Sequence, residues 1–177
     1  MMKTILFAFC TSLLAMQLSH AENLSCADDY PQIISADMAQ LTKELQQNDY
    51  TLLIQKTYPA LLEWAGGPQT CQKTLQFAQQ IMTQSNLEIL EVNMQPPLYS
   101  YVVGQEEVCF LPKTITIKAA GQVIHAPPSF MVAIRSLDKH QWTYLDGAGF
   151  QKNPQMLYKF FPDFPKNVKV PMDMPAE

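Results

Sequence analysis

The chain has 177 residues, of which 47% are hydrophobic and 16% are charged, so it is long and apolar enough for one domain with a buried core. It carries 12 Lys and Arg residues against 16 Asp and Glu residues, a net charge of −4, and its cations form no cluster. This balance excludes the basic surface typical of nucleic-acid binders and argues equally against docking on anionic lipid.

The first residues are typical of an export signal. Lys3 precedes an uncharged, largely apolar run over residues 4–16, and Ser19 and Ala21 place small side chains where a signal peptidase reads them. The run is shorter than the ~20 residues that a helix needs to cross a bilayer. We therefore predict that residues 1–21 are a signal peptide cleaved after Ala21. The mature chain is then periplasmic, has no membrane anchor and carries a net charge of −5 after the loss of Lys3.

The three cysteines beyond the signal allow one disulfide. In an oxidising compartment two of Cys26, Cys71 and Cys109 can pair, and we predict the pair Cys26 and Cys71. The alternative for Cys71 is a small buried side chain, because it begins an apolar stripe at helical spacing. That stripe consists of Cys71, Leu75, Ala78 and Met82.

The first half of the mature chain has helical periodicity. Apolar residues spaced i, i+3 and i+7 from Met38 predict a short amphipathic helix that ends near Asn48. A second helix is predicted from Tyr50, and Pro59 must kink or restart it because proline lacks the amide hydrogen. A third helix is predicted over residues 68–84, after a Gly-Gly stop and with a proline in its first turn.

From residue 87 the apolar period becomes that of β-strands. The predicted strands cover residues 87–94, 99–103, 107–111, 114–118, 122–125, 129–135 and 141–145. Their short connections favour antiparallel hairpins, since a parallel return needs a crossover of about a dozen residues or more. A short helix around residues 155–160 and a Pro-rich tail follow, with Phe160, Phe161 and Phe164 as candidate anchors of the tail.

This order of elements predicts an α+β fold. Three N-terminal helices pack on a curved antiparallel β-sheet, followed by a short C-terminal helix and a Pro-rich tail. We assign residues 22–160 to a single domain and residues 161–177 to an extended tail. No internal repeat and no long linker divides the chain.

Five segments carry a resemblance to a known superfamily. They are DYTLLIQKTYPALLEWAGG (49–67), LPKTITIKAAGQVI (111–124), SFMVAIRS (129–136), WTYLDGAG (142–149) and FPDFPKNVKVP (161–171). They are similar to exported bacterial proteins of the nuclear-transport-factor-two-like superfamily, whose cone-shaped fold also occurs in ketosteroid isomerase and polyketide cyclases. The resemblance implies a cone that encloses a pocket and, by analogy, a homodimer formed through the outer face of the sheet.

Alternation along the strands indicates what lines such a pocket. Phe130, Val132 and Ile134 share one face of their strand, and Trp142 and Tyr144 alternate on the next. We take these five as candidate ligand-binding residues, with a plain hydrophobic core as the structural alternative. The predicted function is a non-enzymatic periplasmic protein that binds a small apolar ligand or a protein partner. The alternative is an exported immunity protein that neutralises a toxin delivered to the same compartment.

An enzyme of the ketosteroid isomerase or cyclase type is the third hypothesis. It needs a carboxylate base and a hydrogen-bond donor in the pocket. The candidates are Asp146 as base, Tyr58 or Tyr144 as donor and His125 as a second acid–base group. Each also has a purely structural interpretation, and for Asp146 this is the capping of a turn.

Other chemistry has little support in the sequence. No Gly-x-Ser-x-Gly, CxxC or HxxxH pattern occurs, so we expect neither a hydrolase nucleophile nor a metal site, and no cofactor. The Gly147-Ala-Gly149 fragment lacks the third glycine of a dinucleotide-binding loop. Its glycines are expected instead to let the chain leave the sheet with φ values that other residues avoid.

Overall fold

The computed structural model describes residues 25–167 and residue 171, so the predicted signal peptide lies outside the described residues, as does most of the tail beyond residue 167. The helices are α1 (Cys26–Asp29), a π-helical turn (Tyr30–Ile34), α2 (Ser35–Gln46), α3 (Thr51–Lys56), α4 (Pro59–Trp64), α5 (Pro68–Gln84), α6 (Ala148–Lys152) and α7 (Gln155–Phe160). The strands are β1 (Leu87–Met94), β2 (Tyr99–Val103), β3 (Glu106–Ala119), β4 (Gln122–His125), β5 (Ser129–Ser136) and β6 (Thr143–Asp146). The fold is therefore α+β, as predicted, with a sheet that curls into a half-barrel.

The helical half differs from the three predicted helices in two places. Pro59 does not kink one helix but separates two, because Tyr58 adopts an extended backbone (φ −53°, ψ 127°) and Pro59 becomes the first residue of α4. Residues 26–34, whose polar composition gave no helical period, are helical and bury Cys26 and Ile34. Tertiary docking, rather than local periodicity, stabilises this leading segment.

β3 is the central strand of the sheet. It pairs antiparallel with β1 and β2 along one edge and with β4 and β5 along the other, and β6 pairs with β5. Two short turns flank it, and the turn at Ala120–Gly121 has positive φ at both residues (49° and 83°), the geometry of a two-residue hairpin loop. The outer edge of β6 meets the linker between α3 and α4, where the Tyr58 amide donates to the Tyr144 carbonyl (2.9 Å).

Pro112 lies inside β3, where the sequence predicted a break between two strands. β2 ends its pairing at Phe110 and β1 begins its pairing at Lys113, so Pro112 falls between the two partners on that edge. Its carbonyl accepts from the Gln95 amide (3.0 Å) in the connection between β1 and β2. The missing amide hydrogen therefore breaks no strand-to-strand pairing, and β3 continues through the proline.

The sheet carries a core on each face. One core packs aromatic and aliphatic side chains of β3 and β5 against α6, α7 and the segment after α7. Phe160, Phe161 and Phe164, the candidate anchors of the tail, are all buried there. The second core lies under α1 and α2 and contains Cys26, Ile34, Met38, Leu41, Cys109 and Trp142, among others.

A buried ion pair docks the start of α1 on the sheet. Glu107 of β3 is fully buried, accepts from Arg135 Nη2 (2.6 Å) and accepts from the Cys26 amide (2.9 Å). The guanidinium of Arg135 also lies over the ring of Trp142, 5.2 Å from its centroid. A carboxylate that accepts hydrogen bonds from both a cation and an amide is satisfied inside the protein, so it fixes where α1 sits.

Candidate functional site

A large cavity lies between the sheet and the helices. Its volume is about 960 Å³, at the upper end of the range of about 300–1,000 Å³ that small-molecule pockets occupy. α2, α3 and α4 form one side, α5 lies across it, and β1, β3, β5 and β6 supply the sheet side. Most of its walls are aliphatic, and they include Leu41, Leu45, Leu53, Leu61, Leu62, Leu87, Val92 and Ile115.

α5 covers the cavity, but its own residues are not buried. The stripe Cys71, Leu75, Ala78 and Met82 faces the cavity, yet none of the 17 described residues of the helix is buried. A helix that presents an apolar stripe normally buries it against a neighbouring element. Here the stripe faces the cavity instead, so α5 is the wall whose apolar surface gains most from a bound apolar molecule.

One polar cluster closes the edge of the cavity between α2, α3 and β6. Asp37 accepts from Lys56 Nζ (2.7 Å) and from the hydroxyl of Tyr144 (2.6 Å), and both donors line the cavity. Burial, together with the nearby carboxylates of Asp37 and Asp29, raises the pKa of Tyr144 well above its usual range. Tyr144 is thus a neutral donor committed to Asp37 rather than a group free to take a proton.

A second ion pair lies on the sheet side. Lys113 of β3 is buried and its ammonium donates to the carboxylate of Asp146, which is 57% exposed at the end of β6. The other oxygen of Asp146 accepts from the Ala148 amide (2.9 Å), the turn-capping role that the sequence analysis weighed against catalysis. Both cations on the cavity lining, Lys56 and Lys113, are therefore paired.

One buried polar group on the lining has no partner. Tyr50, between α2 and α3, is 7% exposed and lines the cavity, and its hydroxyl finds no hydrogen-bond partner among the described residues. Leaving a buried hydroxyl unpaired costs about 1–3 kcal/mol. Arg135 Nε, the other such atom in the described part of the chain, does not line the cavity.

The five predicted ligand-binding residues do not form one site. Phe130, Val132 and Ile134 are buried in the core of the opposite face, where ring and aliphatic neighbours surround them. Trp142 is buried under α1, with its indole nitrogen donating to Asp29 (2.9 Å). Of the five, only Tyr144 lines the cavity, because strand alternation shows which residues share a face but not which face is filled.

The four catalytic candidates lie in different surroundings. Asp146 lines the cavity, whereas Tyr58 is buried in the opposite core, stacks on Phe161 and donates to Glu106 (3.0 Å). Burial, followed by the adjacent Glu106 carboxylate, raises the pKa of Tyr58 above its usual range. His125 is exposed at the end of β4, where Nδ1 contacts the Thr116 hydroxyl (3.2 Å). Asp146 and Tyr144 both line the cavity, but Asp146 is paired with Lys113 and Tyr144 donates to Asp37, so the structure does not bring a free base together with a free donor.

The predicted disulfide between Cys26 and Cys71 is wrong. The structure joins Cys26 to Cys109, with Cα atoms 6.5 Å apart, and leaves Cys71 as a free thiol on the cavity wall. The hydrogen bond from the Cys26 amide to Glu107 brings α1 against β3 beside Cys109, whereas Cys71 lies on α5 across the cavity. Burial raises the pKa of the Cys71 thiol, which disfavours the reactive thiolate form.

The glycines after β6 also differ from their prediction. Gly147 has an ordinary φ of −76°, so no unusual backbone conformation requires glycine there. The requirement is steric: a Cβ at this position would overlap the ring of Phe130 and lie 2.6 Å from its carbonyl oxygen. At Gly149, by contrast, a Cβ would meet nothing within 4 Å.

No group of three or more His, Cys, Asp and Glu side chains in residues 25–167 is placed to hold a metal ion. No helix within the described part of the chain is long and apolar enough to cross a membrane. Comparisons of the chain with protein families, with curated proteins and with solved structures found no match.

Sequence reasoning missed most of the cavity wall. Tyr50 and Lys56 were seen only as parts of helices, and Lys113 only as part of a strand connection. Besides Tyr144 and Asp146, the sequence held one further signal, the stripe beginning at Cys71, whose four members all line the cavity. That stripe was interpreted as core, since helical spacing alone does not distinguish a side chain facing a neighbour from one facing a cavity.

Proposed function

We propose that this protein binds a small apolar ligand in the cavity beneath α5, without catalysing its conversion. The observation that carries the proposal is a cavity of about 960 Å³ with mainly aliphatic walls. Burying an apolar molecule there is favourable by roughly 25 cal/mol for each Å² of apolar surface removed from water. The separation of Asp146 from Tyr58 and His125, together with the hydrogen bond that commits Tyr144 to Asp37, supports binding rather than proton transfer.

The compartment and family belong to the same proposal. The N-terminal apolar run and the small residues before Ala21 support export to the periplasm. Helices laid across a curled antiparallel sheet are compatible with the cone of the nuclear-transport-factor-two-like superfamily, which the five sequence segments resemble. In that setting the chain acts as a soluble carrier or sensor of an apolar compound.

The test is to fill the cavity from α5. Ala78 lines the cavity and Gln76 lies on the exposed side of the same helix, so Ala78→Trp and Gln76→Trp form a matched pair. Nile red, a neutral apolar dye, is titrated into both variants and the wild-type protein while its fluorescence is followed. We expect Ala78→Trp to weaken dye binding at least about tenfold, a loss of about 1.4 kcal/mol, because the indole takes the space of the ligand. Gln76→Trp should bind like the wild type.

A second control separates the cavity from the outer surface. Phe77 and Ile81 are 63% and 46% exposed on α5, and a dye bound to that patch would mimic ligand binding. Phe77→Ala should leave the dye affinity unchanged if the cavity is the site. Equal binding by Ala78→Trp and wild type, both folded by circular dichroism, would contradict the proposed function.

A further inference from the structure

We infer that the ligand is a neutral amphiphile: an apolar body with one uncharged oxygen group that hydrogen-bonds the hydroxyl of Tyr50. This inference rests on the proposed function and adds the chemical class of the ligand. Fatty alcohols, acyl esters and ketones belong to this class, whereas a fatty carboxylate does not. Two independent features, the charges on the cavity lining and the unpartnered hydroxyl, carry it.

The charges on the lining favour an uncharged ligand. The ionisable side chains of opposite sign there are Lys56 and Lys113 against Glu88 and Asp146, so their formal charges cancel. Each of the two cations is already held by a carboxylate, Lys56 by Asp37 and Lys113 by Asp146. An anionic headgroup would have to displace one of these carboxylates and would meet the exposed Glu88, and it would also lose its own hydration.

Tyr50 is the one buried side chain among the described residues of the lining that has an unsatisfied polar atom, whereas the amide side chains of Gln46, Asn48 and Gln79 on the lining are not buried. The hydroxyls of Thr42 and Thr57 donate to the backbone carbonyls of Met38 (2.9 Å) and Leu53 (2.6 Å). Tyr144 donates to Asp37, as described above. Tyr50 is the exception, since it is 93% buried on the lining with no partner for its hydroxyl among the described residues. Because a phenol both donates and accepts, a ligand hydroxyl or carbonyl oxygen can satisfy it.

The geometry of recognition follows from these two features. The aliphatic walls take the body of the ligand, and Tyr50 at the junction of α2 and α3 fixes the position of its oxygen. A buried site that offers one hydrogen-bonding side chain discriminates against a ligand analogue that lacks the matching polar group. Such an analogue leaves the side chain of the protein without a hydrogen-bond partner. The site is therefore expected to prefer an alcohol over an alkane of the same length.

The experiment compares three ligands of equal chain length on two variants. Dodecane, dodecanol and dodecanoate compete with Nile red for the wild type, for Tyr50→Phe and for Tyr30→Phe at about pH 8, where dodecanoate is ionised. We expect the wild type to bind the alcohol roughly three- to tenfold more tightly than the alkane, the size of one net hydrogen bond. Dodecanoate should be the weakest of the three.

The variants decide whether Tyr50 is the anchor. Tyr50→Phe should abolish the preference for alcohol over alkane while alkane binding persists, and it should not lower the stability of the ligand-free protein. Tyr30→Phe, which removes a hydroxyl bonded to the Met94 carbonyl outside the cavity lining, should keep the preference. An alcohol preference that survives in Tyr50→Phe, no such preference in the wild type, or tighter binding of dodecanoate overturns the inference. Failure of Nile red and all three ligands to bind would instead overturn the proposed function itself.

Discussion

The two faces of the sheet are closed in different ways. On one face, Phe110, Phe130, Phe150, Phe160 and Phe164 are all buried, and their rings contact one another in a chain of stacked, tilted and edge-to-face pairs. On the other face, α1 and α2 seal one part, but α5 lies across the rest and leaves a cavity. The contrast shows that the unfilled volume of the fold lies on one face of the sheet, between the end packed under α1 and α2 and the helix α5.

The largest expected effect comes from the packed end of the cavity face. Glu107→Gln leaves the buried Arg135 without its charged partner, and breaking a buried pair from one side costs about 3–5 kcal/mol. Glu91→Gln on β1 changes an exposed carboxylate and should shift stability by less than about 0.5 kcal/mol. Urea denaturation of both variants measures the difference. Similar values for the two would mean that the ion pair does not hold α1 in place.

A matched pair of leucines tests the comparison directly. Leu157 of α7 is 1% exposed in the filled core, so Leu157→Ala should cost about 2–5 kcal/mol through lost burial and a new cavity. Leu75 of α5 faces an existing cavity and is only partly buried, so Leu75→Ala should cost less than about 1 kcal/mol. The free energies of unfolding in urea report both. Equal losses would show that the cavity face is as tightly packed as the other.

The two glycines after β6 provide a smaller and sharper contrast. Gly147→Ala introduces a Cβ into the ring of Phe130, and such overpacking costs about 1–3 kcal/mol. Gly149→Ala lies in α6 with free space around it, so it should be neutral or stabilise the fold by up to about 1 kcal/mol. Thermal unfolding distinguishes the two signs. Destabilisation by both variants would indicate a backbone requirement instead of the steric one.

The smallest effect is a pH dependence that comes from the polar edge of the cavity. Burial raises the pKa of Tyr144 in the folded state, so its contribution to stability is present below the unfolded pKa of about 10 and is lost as the pH rises further. Between about pH 10 and pH 11.5 the wild type should lose up to about 1.4 kcal/mol per pH unit from this group. Tyr144→Phe should show a shallower decline over the same range. Parallel declines for both proteins would assign the alkaline loss to other residues.

The sequence predicted best where structure is set locally. α5 was predicted with its observed bounds because Gly66-Gly67 precedes it and Pro68 is its first residue, and β1, β2 and β4 because turn residues flank them. The predictions from the sequence failed where contacts between residues far apart along the chain determine the local structure. β3 continues through Pro112 only because its partner strands β1 and β2 leave a gap beside this residue. Residues 26–34 are helical because they pack on the sheet, where the Cys26 amide donates a hydrogen bond to Glu107. Neither fact has a local signal.

The candidate site was less predictable than the fold for the same reason. The pocket-lining prediction chose the most apolar strand, residues 129–135, and such a strand is the one that the protein buries most completely. The observed lining combines partly apolar and polar residues, such as Tyr50 and Lys113, that lie far apart along the chain. Only the tertiary arrangement shows that the stripe on α5 faces a cavity and not a neighbour.

The central position of β3 has a consequence for the order in which the chain acquires its structure. β2 and β4 are each joined to β3 through two-residue turns, so both hairpins close over short stretches of chain. The hydrogen bond from the Cys26 amide to Glu107, by contrast, joins two residues that lie 81 positions apart along the chain. We therefore expect the amides of β3 to gain protection from hydrogen exchange early in refolding and the amide of Cys26 to gain it later. The reason is that α1 packs on a surface of the sheet, and this surface exists only once the sheet has formed.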